Sequence, residues 1–253
     1  LMAARHPLFA EADVTVDCTD DPPDLTTRKV LEALTGHAPP ARLRVGLGER
    51  AYDILVGEGL IARAGALVAP VLPARRVVVI TDAHVAPLHL PGLRASLEVA
   101  GISVLAEHVV APGEATKSFA EAGRAVEVIL RAGADRRTAV VALGGGVVGD
   151  LAGFAAAIAT RGLPFVQVPT TLLAQVDSSV GGKTGVNLAL GKNLVGAFHQ
   201  PRLVIADTTT LGTLPPRELR AGWAEVAKHG LLQGELWNWC EAHGPAAVAG
   251  DPA

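Results

Sequence analysis

Sulfur-containing and aromatic side chains are scarce in this chain. Of 253 residues, 2 are Cys, 1 is Met, 1 is Tyr, 3 are Trp and 5 are Phe. Cys18 and Cys240 lie far apart and form no CxxC pair, so a reducing, cytoplasmic setting is expected. With aromatics at 4%, the interior has to be built from Ala, Val and Leu, as packed α/β layers often are. Surplus positive charge is missing too. A net charge of −3 leaves no basic footprint for nucleic acid, and no uninterrupted apolar run reaches the length of a membrane span. Neither partner is expected. The opening residues Leu1-Met2-Ala3-Ala4-Arg5-His6 lead into Pro7 and charged residues rather than a signal-peptide core.

What is present is apolar content of 49%, enough for a sizeable core in one large domain or two small ones. Residues 1–37 read differently from the rest. Ala12 to Asp17 has strand character, Asp20 to Leu25 reads as a turn, and Thr26 to Leu34 has helical spacing with Val30, Leu31 and Leu34 on one side. Gly36 to Pro40 reads as a linker. A second unit begins at Arg42, with short strands around Leu43–Leu47 and Tyr52–Val56. Apolar strands then occur at Arg76–Thr81, Ile102–Val110, Thr138–Leu143, Phe165–Pro169 and Leu203–Asp207. Helices fall near 59–69, 87–100, 118–132 and 148–160, and Ser118 with Glu121 forms a capping box for the third. Such alternation predicts a parallel, doubly wound sheet. From Pro215 onward the pattern is helical, and a second domain is placed there.

Three segments carry chemistry. Leu143-Gly144-Gly145-Gly146-Val147-Val148-Gly149-Asp150 comes after a buried strand and opens a helix. Glycines at that place let a backbone approach a pyrophosphate, and the helix N-terminus supplies donors. The spacing is not GxGxxG, so a simple tight turn remains an equal reading. Next, Thr170 and Thr171 end a strand at the carboxyl edge, where open α/β sheets bind ligands. Asp177, Ser178, Ser179, Gly181, Gly182 and Lys183 come next, then Lys192 and Asn193, with Arg161 at the end of the preceding helix. Three cations near a glycine-rich turn suit a phosphorylated, anionic substrate; the alternative is a solvated loop with ordinary surface lysines. A P-loop is rejected, because GxxxxGK[ST] needs glycine where Asp177 stands. Last, Glu225 and Lys228 share a helix face, as a surface ion pair or as a metal carboxylate with a substrate-facing lysine. His229, one turn after Glu225, could share a metal with it, but no third ligand is evident nearby.

Taken in order, GGGVVGDLAGF, RGLPFVQVPTTLLAQVDSSVGGKTGVN, LGKNLVGAFHQP and LPPRELRAGWAEVAKHG resemble the 3-dehydroquinate synthases of the sugar-phosphate cyclase superfamily. The resemblance runs from about Arg42 to His243. It implies a Rossmann-like parallel-sheet domain (38–214) followed by the start of an all-helical domain (215–253). It implies NAD and Zn2+ (or Co2+) as cofactors, a phosphorylated keto acid as substrate, and a homodimer. NAD is implied to be bordered by Asp82, Glu114, Lys117, Gly145, Gly146, Val147, Val148, Gly149 and Asp150. Thr170, Thr171, Lys183, Lys192, Thr210, Leu211, Gly212 and Thr213 complete that set. Arg161, Asp177, Lys183, Lys192, Asn193 and Lys228 are implied to hold the substrate, and Glu225 to be a zinc ligand. The family's two histidine ligands lie further downstream than Ala253, so the chain alone is expected to bind NAD weakly and release no phosphate. His84 stands where the family often has asparagine, and His229 where it often has tyrosine. Arg5 to Asp17 resembles the C-terminal tail of a shikimate kinase, which implies a remnant (1–37) of a kinase–synthase fusion. Two other readings are a related cyclase acting on a different sugar phosphate and an NAD-binding module without catalysis.

Overall fold

The computed structural model describes residues 22–35 and 39–249. The strand expected at Ala12–Asp17, and with it the kinase-like stretch, lies outside the described residues. The chain divides into two compact units, residues 1–41 and 42–253. In the first, helix α1 (Pro23–Thr35) begins inside the segment expected to turn. Pro23 starts it readily, because its missing N–H is one of the helix-end orphans in any case. Asp24 adds favourable charge in the first turn.

The second unit contains β1 (Ala41–Val45), β2 (Tyr52–Gly57), α2 (Ala64–Val68), β3 (Arg76–Asp82) and α3 (Ala86–Val99). Next come β4 (Ser103–Val110), α4 (Phe119–Arg131), β5 (Ala139–Gly144), α5 (Gly146–Ile158) and β6 (Phe165–Pro169). The last elements are β7 (Lys183–Leu188), β8 (Gly191–Phe198), β9 (Leu203–Asp207), α6 (Pro216–Leu232) and α7 (Gly234–Ala249). Seven strands form one sheet in the order β1-β2-β9-β6-β5-β3-β4. From β2 to β4 every neighbouring pair is parallel, as the strand–helix alternation predicts. No helix among the described residues is long and apolar enough to cross a membrane.

Period-two alternation assigns each strand residue to a face. Val77 and Val79 of β3 join Val141 and Leu143 of β5 and Val166 and Val168 of β6 in one core cluster, packed against Leu93 and Leu97 of α3. Val78, Ile80, Val140, Ala142 and Phe165 point the other way, into a cluster with Val148, Ala152 and Ala156 of α5. Both faces are covered, which is why the strands read as continuous apolar runs.

Two expectations need correction. The segment after Gly182 is not a loop: β7 and β8 pair as an antiparallel hairpin outside the main sheet. Its glycines hid the alternation, yet Gly185 and Gly196 are where the two backbones approach closely. The capping box at α4 is half formed. Ser118 Oγ accepts from the Glu121 amide at 3.2 Å, but the Glu121 carboxylate turns away to His108 and Arg124, stronger partners for a charge than an amide.

Candidate active site

The carboxyl edge of the sheet positions most of the predicted residues. β5 ends at Gly144, Gly145 caps α5 with no side chain of its own, and α5 begins at Gly146. A Cβ on Gly146 would stand 2.8 Å from Ser178 Oγ, and one on Gly145 3.0 Å from Thr171 Cγ2. These glycines therefore let the 171–178 segment close over the helix start. That segment includes a π-helical turn at Ala174–Ser178, in which the Ser179 amide donates to the Ala174 carbonyl at 3.1 Å. Thr170 is buried and its Oγ1 has no hydrogen-bond partner. An uncapped helix start with an orphaned hydroxyl alongside it fits the pyrophosphate of a dinucleotide.

The hairpin β7–β8 lies along α5. Gly153 makes this possible, because a Cβ there would come 2.4 Å from Thr184 Cγ2 and 3.0 Å from the Phe165 ring. Asp150, Asp177, Lys183 and Asn193 then line one cleft of about 480 Å3, with Ser178 and Phe198. Glu114, Lys117, Asn187 and Lys192 line a second, more open one of about 530 Å3. Lys117 joins the two. Its ammonium, almost fully buried, binds the Asp150 carboxylate and donates to Asn193 Oδ1 at 2.6 Å. Burial pushes the Asp150 carboxyl above the usual aspartate range; Lys117 opposes that shift without cancelling it.

Asn187 was not singled out by the sequence, yet it ties the clefts together. Its Nδ2 donates to Glu114 at 2.8 Å, and its Oδ1 accepts from the Asn193 amide at 2.9 Å. That second bond braces Asn193 at a φ of 56°, a left-handed conformation asparagine tolerates better than most residues. Gln175 was missed as well. Its Nε2 lies within hydrogen-bond distance of the Pro169 and Asp207 carbonyls and of Thr210 Oγ1, which fixes the 208–213 turn against the end of β6. His89, on α3, meets Thr213 Oγ1 at 3.1 Å; burial lowers its pKa, with Asp207 opposing. Polar residues on otherwise ordinary helices and strands give no sequence signal.

Some predicted residues lie apart. Arg161 stands past the far end of α5, whose last residue, Ile158, is about 12 Å along the axis from Asp150, and does not line either cleft. It and Thr160 have positive φ values of 68° and 48°. Asp82 folds back, its Oδ1 accepting from the amides of His84 and Val85 at 2.8 and 3.0 Å.

On α6, Glu225 and Lys228 form the expected ion pair, and the carboxylate raises the lysine pKa. The reading that no third ligand stands near Glu225 and His229 is corrected. Gly222 lets α6 press against the 172–173 backbone, where a Cβ would meet Leu173 N at 2.6 Å. One turn on, Asp177, Glu225 and His229 bring ligand atoms within 4.8 Å of one another. Asp177 is far before Glu225 in the chain, so spacing could not reveal it. Glutamate, aspartate and imidazole form a donor set suited to a zinc-class ion.

A family model described as 3-dehydroquinate synthase N-terminal matches residues 107–221, which hold both clefts and most of the 171–178 turn's partners. A 3-dehydroquinate synthase of Rhodospirillum rubrum is 61% identical over 211 residues, 83% of this chain and 54% of that protein. In its second unit the chain belongs to the 3-dehydroquinate synthase family. The counterpart in Paracoccus denitrificans is 58% identical over 212 residues, 83% of this chain and 57% of that protein. The chain thus spans about half the length of the curated relatives it matches. Among solved structures, 2-epi-5-epi-valiolone synthase of Streptomyces hygroscopicus, with NAD+ and Zn2+ bound, superposes with a TM-score of 0.72 at 36% identity, over 81% of this chain and 56% of that one. A 2-deoxy-scyllo-inosose synthase complexed with carbaglucose-6-phosphate, NAD+ and Co2+ gives 0.66 at 33%, over 74% and 50%. The α/β fold of the family is therefore the fold of this unit.

Proposed function

We propose that this chain is the cofactor- and phosphate-handling half of a 3-dehydroquinate synthase. The reaction is the conversion of 3-deoxy-D-arabino-heptulosonate 7-phosphate to 3-dehydroquinate and phosphate, formally a carbon–oxygen lyase reaction. The observation that carries the reading is the convergence of Asp150, Asp177, Lys183 and Asn193 on one cleft, beside a glycine turn that fits a dinucleotide. In that cleft Lys183 offers a cation to anionic substrate groups, Asn193 an amide, and Asp177 a carboxylate to a hydroxyl. Lys117 holds Asp150 in place and neutralises it, so that a carboxylate can stand near a phosphate without repelling it. Glu225 would hold the divalent ion, and Gly145, Gly146 and Thr170 would face NAD. When bound, the two cofactors supply a reversible oxidation of one substrate hydroxyl and polarisation of the reacting oxygens.

Arg161 reaches a substrate in this reading only from a second copy, which the expected homodimer would supply. The resemblance of Arg5–Asp17 supports a shikimate kinase preceding this unit; an upstream coding sequence without a P-loop would end that part of the proposal. A second reading, a cyclase for another sugar phosphate, draws support from the two solved relatives, but their 36% and 33% identities fall well below the 61% to a 3-dehydroquinate synthase.

The test is phosphate release from the heptulosonate, with NAD and Co2+, by this chain alone and by the chain continued with the unmatched C-terminal part of the Rhodospirillum rubrum relative. The continued chain is expected to release phosphate and the chain alone is not. A continued chain that folds and binds NAD but leaves the heptulosonate intact refutes the assignment.

A further inference from the structure

His89 stands on a face of α3 that is otherwise apolar. It precedes Leu93 and Leu97 by one and two helical turns, and both leucines are fully buried in the core. An imidazole in that stripe is costly unless it is hydrogen-bonded, and the partner it finds is Thr213 Oγ1, at 3.1 Å. We propose that His89 is a positioning residue for the cofactor, fixing the far end of the 208–213 turn through Thr213 as a neutral imidazole with its proton on Nε2. The inference rests on the reading, implied by the family resemblance, that Thr210 to Thr213 border NAD. What it adds is an anchor from α3, outside that set.

Three observations support it. First, the donor can be named. The Thr213 hydroxyl stands 2.6 Å from the Thr210 carbonyl, and a carbonyl only accepts, so the single hydroxyl hydrogen is committed there. Thr213 Oγ1 therefore meets His89 as an acceptor, and His89 Nε2 carries the hydrogen. Burial lowers the His89 pKa, with Asp207 opposing; the ring is then neutral at neutral pH, and the place of its one N–H decides whether the bond exists. Second, the near end of the turn is already held from two other elements. The Asp207 carboxylate accepts from the amides of Gly59 and Ile61 at 3.0 and 2.8 Å, and Gln175 donates to the Asp207 carbonyl and to Thr210 Oγ1. His89 supplies a third anchor, at the end those two do not reach. Third, that end is open to a ligand. Gly212 and Thr213 are exposed, and a Cβ on Gly212 would meet nothing within 4 Å. Without His89 the far end hangs on the turn's own hydrogen bonds, and NAD would have to order it on binding.

The chain continued with the C-terminal part of the Rhodospirillum rubrum relative is compared with its His89→Leu, His89→Gln and Thr213→Val variants by calorimetric NAD titration and thermal unfolding. Leucine continues the Leu93–Leu97 stripe, so His89→Leu is expected to keep the wild-type Tm or exceed it. Its NAD dissociation constant is nevertheless expected to rise roughly threefold to tenfold, the worth of about one hydrogen bond. His89→Gln, whose amide nitrogen donates from the same reach, is expected to stay within about twofold of wild type. Imidazole NMR of the isotope-labelled protein is expected to show a His89 Nε2–H proton protected from exchange, assigned by its absence in His89→Gln and lost in Thr213→Val. Unchanged NAD affinity in His89→Leu overturns the inference, as does an equal loss in His89→Gln or a proton found on Nδ1. Should His89→Leu fail to fold, the NMR signal and its loss in Thr213→Val decide. A wild type that binds no NAD refutes the proposed function and this inference with it. A wild type that binds NAD with an affinity indifferent to His89 refutes this inference alone.

Discussion

Replacing Lys117 with methionine keeps the length of the side chain and removes its charge. In the native chain the pair is well buried, with side-chain exposures of 6% for Lys117 and 19% for Asp150. Deleting one partner of a buried pair costs about 3–5 kcal/mol, because the other charge is left uncompensated. Asp150 keeps some access to water, so the lower end, about 3 kcal/mol, is expected at neutral pH. For a chain of this size that is a fall in Tm of roughly 6–12 °C. The sign of the pH dependence comes from Asp150. Its folded pKa is already raised by burial, with Lys117 opposing, and loss of Lys117 raises it further. The charged carboxylate then weighs against the folded state at neutral pH. The deficit of the variant shrinks as pH falls through that raised pKa and Asp150 takes up a proton. Urea unfolding at several pH values, run as a double-mutant cycle with Asp150→Asn, measures this. The double variant is expected to recover most of the loss, with a coupling of about 2 kcal/mol or more. A Lys117→Met variant within about 1 kcal/mol of wild type at neutral pH, or a coupling near zero, refutes the account.

Two further outcomes are expected. Gly153→Ala gains about 1 kcal/mol of helix propensity but drives a methyl into Thr184 and Phe165. Overpacking of about 1–3 kcal/mol leaves it less stable than wild type, and adding Thr184→Ser recovers part of the loss; a more stable single variant in thermal unfolding disproves the close packing of hairpin on helix. Burial pushes the Glu121 carboxyl up, but hydrogen bonds from Arg124 and His108 outweigh it and hold the pKa below the usual range. Stability from this cluster is therefore present above the ordinary glutamate pKa of about 4.3 and lost as pH falls through the lower folded value. The gap in urea midpoint between wild type and Glu121→Gln should close on acidification; a gap independent of pH contradicts the pairing.

The main sheet was legible because both its faces are buried. Runs such as Val77-Val78-Val79-Ile80 leave little choice but an interior parallel strand, and Ser118 announces the start of α4. The hairpin was not legible. Lys183 to Phe198 is rich in polar and glycine positions and packs on α5 rather than within the sheet, so its pattern is that of a loop. For the site, the resemblance supplied the cleft residues, and the structure showed how they are held. Asn187 and Gln175 were invisible for a plain reason: amides that brace backbone groups have no preferred spacing. The approach of Asp177 to Glu225 and His229 depends on Gly222 and on a turn geometry that no local propensity encodes.

That turn sets the phase of the site. A π-turn accommodates one residue more than an α-helix over the same rise, and here it makes up nearly the whole of a short coil, Ala174–Ser178, entered through Leu172 and Leu173. Each residue added to a helix rotates the next side chain by about 100°. The spare residue therefore works as an angular offset, pointing Asp177 toward α6 while Ser178 meets the start of α5. Deleting a single residue there would swing the carboxylate around the turn's axis and away from its partners. Chain length within this short turn, rather than side-chain identity alone, decides whether the two helices share a common focus.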